Sequence, residues 1–117
     1  MRKKIGLLID KLNTPFTPEA VKGAELGAMA VDADMYIFPG MCLDDTKISD
    51  DHLLYEYQYN TLFQFANDKH LDILYIMMGL IGCRVDLERR QKFLSQYLNI
   101  PVVILYTEMP GYPSMIF

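Results

Sequence analysis

The chain has 117 residues, of which 11 are basic and 15 acidic, and it carries a net charge of −4. That is room for one domain with one core, and the 51% apolar content can fill it. The negative surface speaks against nucleic-acid binding, no run approaches the roughly 18 apolar residues that cross a bilayer, and two cysteines make no disulfide framework.

Lys4 to Ile9 is a short apolar run that fits a strand buried on both faces. Asp10 to Phe16 breaks it with Asn13 and Pro15. Thr17 then stands as an N-cap, with Pro18 at the first helical position and Glu19 in the first turn. The pattern predicts a helix to about Asp32, with Val21, Ala24, Ala28 and Val31 on one stripe. Gly23 and Gly27 form a second, small-sided line. Each glycine lowers helix stability by roughly 1 kcal/mol, so the pair suggests close approach to a sheet or a partner helix.

Asp34 to Phe38 is the second strand, ended by Pro39-Gly40. Met41 to Asp51 reads as a polar loop and Leu53 to about Asn67 as the second helix. Ile73 to Met77 is the third strand, and Met78 to Val85, with Gly79 and Gly82, a loop. Asp86 to about Leu98 is the third helix, Val102 to Tyr106 the fourth strand, and Ser114 onward the fifth. Because that last apolar strand has only begun at Phe117, residues 1–117 are expected to be one α/β unit that is part of something larger, or that closes its core with a partner. Strands alternating with helices predict an α/β fold, a doubly wound three-layer parallel sheet in the order 2-1-3-4-5.

In such sheets ligands sit beyond the carboxyl ends of the strands, where strand order reverses. The rule singles out Asp10, Phe16, Gly79 and Leu80, with Thr107 and Glu108 on the loop after strand 4. Asp10 can accept from a hydroxyl or amine, or equally cap its own loop. Phe16 can stack on a ring, or act as a hydrophobic staple on Val21. Gly79 can admit a ligand to backbone amides, or simply serve a turn. Glu108 also fits a solvated bend.

Catalytic and cofactor patterns are missing. There is no phosphate loop, no Gly-x-Gly-x-x-Gly after strand 1 and no Gly-x-Ser-x-Gly elbow. His52 and His70 lie near opposite ends of the second helix and cannot share a metal. Cys42 and Cys83 read as small buried or half-buried thiols in a reducing, cytoplasmic setting. No metal, no cofactor and no nucleophile–base pair is expected.

Four stretches carry a resemblance: Lys4-Ile-Gly-Leu-Leu-Ile; Pro18-Glu-Ala-Val-Lys-Gly23-Ala leading to Asp34-Met-Tyr-Ile-Phe-Pro-Gly40; Tyr55-Glu-Tyr-Gln-Tyr-Asn60 before Asp72-Ile-Leu-Tyr-Ile-Met; and Pro101-Val-Val with Pro110-Gly-Tyr-Pro-Ser. In order and spacing they resemble the N-terminal lobe of the lactose/galactose-repressor and periplasmic-binding-protein type I superfamily. The branch in question occurs in transcription regulators and upstream of diguanylate cyclase or histidine kinase modules. Ile73 departs from the family's usual glycine, and the DNA-binding headpiece has no counterpart. The resemblance implies a non-catalytic sensor of a sugar, nucleoside or similar metabolite, whose partners are a second lobe, an output module and a second copy meeting at Gly23 and Gly27. The rival expectation is a free-standing flavodoxin-like enzyme that binds a nucleotide or flavin.

Overall fold

A computed structural model describes residues 3–9, 17–40, 43, 61–67 and 69–115. Five strands, β1 (Lys4–Ile9), β2 (Asp34–Pro39), β3 (Ile73–Ile76), β4 (Val102–Leu105) and β5 (Ser114–Met115), form one sheet in the order β2-β1-β3-β4-β5. Every pairing is parallel. The expected doubly wound α/β sheet is therefore present. Among the described residues three α-helices flank it, α1 (Thr17–Ala30), α2 (Met78–Ile81) and α3 (Leu87–Leu94), with 3-10 helices at Thr61–Phe65 and Ser95–Tyr97.

Strand alternation divides the core in two. On one face Leu7, Ile9, Met77 and Leu105 pack with Val21 and Ala24 of α1. On the other, Leu8, Leu74, Ile76 and Ile104 pack with Phe63, Phe93, Leu94 and Tyr97. Leu8, Leu74 and Ile76 are wholly buried. Burying one such side chain contributes about 1.5–3 kcal/mol, which is why the apolar runs rather than the connections set the order of the chain. At the amino ends of β1 and β3 the Lys4 amide donates to the Asp72 carboxylate at 2.8 Å, and the Asp72 amide donates to the Lys4 carbonyl at 2.8 Å.

α1 stops two residues before the predicted end. The Ala33 amide donates to the Ala28 carbonyl at 2.8 Å and the Asp32 amide to the Met29 carbonyl at 3.2 Å, while Asp32 takes φ 55°. This is a Schellman cap with aspartate in the place glycine usually holds. Val31 consequently leaves the buried stripe and is 67% exposed.

Residues 78–81 are helical where a loop was predicted, because β3 passes almost directly into α2, while 82–85 form the non-helical connection expected. The predicted second helix falls mostly outside the described residues. Its described end is the 3-10 helix Thr61–Phe65, closed by Asn67, whose side chain accepts from the Lys69 amide at 3.0 Å. α3 starts as expected at Asp86, which accepts from the Arg89 amide at 2.8 Å, and tightens into 3-10 geometry at Ser95.

β5 has an unusual register. Ser114 pairs with Ile104 and Met115 with Leu105, so β5 begins level with the carboxyl half of β4. Residues 106–113 make that parallel connection with no helix, because the chain need not return the full length of the sheet. Among the described residues no helix is long and apolar enough to cross a membrane.

Tyr97 ties the 3-10 helices together. Its buried hydroxyl donates to the Phe63 carbonyl at 2.9 Å, and Phe93 stacks edge-on between the Phe63 and Tyr97 rings. Burial pushes the phenol above its ordinary value of 10. The unfolded chain therefore loses this proton first, and stability falls as pH rises past 10. Tyr97→Phe leaves the Phe63 carbonyl with only its bond from the Ala66 amide and is expected to lower stability by about 0.5–1.5 kcal/mol at neutral pH. In urea unfolding from pH 7 to 11 the variant should also show a shallower alkaline decline than the parent.

Candidate functional site

The carboxyl ends of β1, β3 and β4 lie at one rim, as their register requires: Leu8 pairs with Ile76, and Ile76 with Ile104. Of the residues singled out from sequence, Asp10 and Phe16 lie outside the described residues. Gly79 and Leu80 sit in the first turn of α2, immediately beyond β3. Thr107 and Glu108 follow β4, the first half-buried and the second exposed. Their loop is held by the buried Met109, whose amide donates to the Ser114 hydroxyl at 3.4 Å, and by Ser114, which donates to the Tyr112 carbonyl at 3.2 Å.

The loops after β3 and β4 meet at Gly79. A Cβ there would stand 2.5 Å from both the Cβ and the carbonyl oxygen of Tyr106. Only a glycine lets the two backbones come this close. Tyr106 itself is not the last strand residue expected. It takes φ 69°, a left-handed conformation uncommon for an aromatic residue, and its amide donates to the Met115 carbonyl at 2.9 Å.

The left-handed turn at Tyr106 has a consequence for its side chain. Val103 and Leu105 face the α1 side of the sheet and Ile104 the other, so continued alternation would put Tyr106 opposite α1. Instead Tyr106 packs on the α1 side beside Leu105. There it borders a groove of about 650 Å³ between α1 and the sheet. Its floor includes Ile5, Tyr75 and Leu105, its helical wall Gly23 and Gly27, and Glu19 supplies its charged group. Glu19, Tyr75 and Tyr106 were not singled out from sequence. Glu19 was accounted for by the helix dipole, and no residue pattern announces a left-handed tyrosine.

Gly23 and Gly27 do not approach the sheet. A Cβ at either position would meet nothing within 4 Å. Cys83 departs from the expected buried thiol: it is exposed, and its Sγ donates to the Leu80 carbonyl at 3.4 Å. It is carried outward by the turn after α2, where Arg90 Nε donates to the Gly82 carbonyl at 2.7 Å. Among the described residues no cluster of His, Cys, Asp and Glu is arranged to hold a metal ion. Cys42 and His52 lie outside them, and His70 is exposed.

The fold and rim thus define a doubly wound α/β protein with an all-parallel sheet and a carboxyl-end rim built from the β3 and β4 loops. No protein-family model, curated protein or solved structure matches the chain.

Two predictions concern these glycines. Gly79→Ala forces the β3 and β4 loops apart and is expected to lower stability by about 1–3 kcal/mol in denaturant unfolding. Gly23→Ala and Gly27→Ala enter open space on a helix and should each raise stability by about 1 kcal/mol in the same measurement.

Proposed function

We propose that the chain is a small-molecule sensing lobe of the periplasmic-binding-protein type I kind. In this reading it binds a sugar, nucleoside or similar metabolite at the rim, without catalysis, as part of a cytoplasmic transcription regulator or signalling protein. The observation that carries the reading is the register of the all-parallel sheet. Its order reverses at β1, and β5 is displaced toward the rim, paired only with the carboxyl half of β4. The switch point and the displaced strand both support a ligand edge at that rim.

In this reading Gly79 and Leu80 present backbone from α2, while Thr107 and Glu108 supply hydroxyl and carboxylate acceptors suited to a polyhydroxylated ligand. Asp10 and Phe16 would complete the rim from the β1 side. A second lobe closes over the bound metabolite, and closure shifts the association of two copies.

Amide NMR of the chain titrated with a panel of monosaccharides and nucleosides tests the reading. A panel member is expected to shift the amides of Gly79, Leu80, Thr107 and Glu108 saturably. Combined Thr107→Ala and Glu108→Ala should weaken that response about tenfold, the loss of a charge-assisted hydrogen bond. Rim amides unmoved by every member would overturn the assignment. A yellow preparation, or a nucleotide retained through dialysis, would point to a flavodoxin-like enzyme in its place.

A further inference from the structure

Two features of the groove beside α1 carry a local cost in stability. The first is the glycine pair. Gly23 and Gly27 weaken the helix relative to alanine, yet among the described residues no atom of another element lies within 4 Å of the Cβ either would carry. Their effect is to keep the helical wall of the groove low. The second is Tyr106, whose left-handed backbone turns its ring out of strand alternation and onto the groove. Strained non-glycine residues persist where the surroundings enforce them, and they gather at binding sites.

The lining of the groove then specifies what fits. The volume, about 650 Å³, falls within the range of small-molecule sites. Ile5 and Leu105 give an apolar floor, and Tyr75 and Tyr106 contribute two aromatic rings. Among the described lining residues Glu19 is the charged one. A carboxylate beside tyrosine rings attracts an ammonium group by charge and by the ring quadrupole, and repels an anion. We infer that this groove binds an organic cation with an apolar body, such as a primary amine carrying an aryl or alkyl chain. The site lies on the α1 face of the sheet, separate from Thr107 and Glu108, and does not depend on the sugar or nucleoside reading of the rim.

The test uses three probes of one shape: 4-phenylbutylamine, protonated at pH 7, the neutral 4-phenylbutanol, and the anionic 4-phenylbutyrate. Amide NMR of the chain is expected to show saturable shifts at Gly23, Gly27 and Tyr75 with the amine. The alcohol should bind more weakly and the carboxylate weakest. Glu19→Gln, at an exposed position, should reduce amine affinity about threefold, as loss of an exposed ion pair does, and bring amine and alcohol together. Gly23→Leu should abolish the groove shifts while raising the melting temperature, so that lost binding is not lost folding. Three outcomes each overturn the inference: equal response to all three probes, amine binding unchanged in Gly23→Leu, or no saturable shift together with a wild-type dimer that Gly23→Leu dissociates. The last would show that a second copy fills the groove.

Discussion

The approach of Gly79 to the Tyr106 backbone is the contact on which the carboxyl rim depends. β3 and β4 are neighbours in the sheet, but hydrogen bonding alone holds them only as far as Ile76 and Ile104. Beyond that point their continuations would diverge, one into α2 and the other toward β5. The missing side chain at position 79 lets the first turn of α2 lie against the Tyr106 carbonyl. The Tyr106 amide, in turn, is held by the Met115 carbonyl. One glycine thus joins the loop after β3, the loop after β4 and the first residues of β5 into a single surface. That explains why a glycine stands inside a four-residue helix, where propensity alone disfavours it.

The two faces of the sheet are built differently. The face opposite α1 holds the larger cluster, from Leu8 and Leu74 through Phe93 to Tyr97, with the tyrosine hydroxyl satisfied by the Phe63 carbonyl. A buried polar group that is paired in this way fixes position as well as adding stability, because any slip leaves it unpaired. On the α1 face fewer fully buried side chains appear, and Val21, Ala24, Val103 and Tyr106 are only partly covered. Parallel sheets bury both faces when complete, so the thinner side is where further contacts have most to add. Among the described residues, then, one face is closely packed and the other leaves apolar side chains partly uncovered.

Much of this architecture was legible in the amino-acid sequence, for a physical reason. Runs such as Lys4–Ile9 and Val102–Leu105 are apolar on both sides, and only a strand covered on both faces satisfies them. Asp86 announced its helix because a carboxylate before a helical stretch has little else to do than accept from the first turn. Errors came where local signals compete with tertiary contact. Gly79 read as a loop residue, but the β4 loop needs it for close approach, so a helical turn forms there in spite of it. The first helix was expected to run to about Asp32, since aspartate seldom takes the left-handed cap that glycine favours. Of the proposed rim, Gly79, Leu80, Thr107 and Glu108 followed from topology alone, because the carboxyl ends of parallel strands must lie at one edge. Tyr106 could not be read in the same way. Its conformation is set by Met115 and Gly79, which are remote in sequence.

Tyr106 also connects the two surfaces of interest. Its backbone belongs to the rim, through Gly79, and its ring belongs to the groove beside α1. A left-handed residue has few neighbouring conformations available, so a shift of its ring is resisted by its own φ as well as by packing. Displacement of the loop after β4 would therefore be felt in the groove as a movement of an aromatic wall, not as a diffuse loosening. The reverse also holds, because coupling between two occupied sites is reciprocal. If both surfaces bind, the residue through which each would sense the other is the one whose conformation the strand pattern alone would never have chosen.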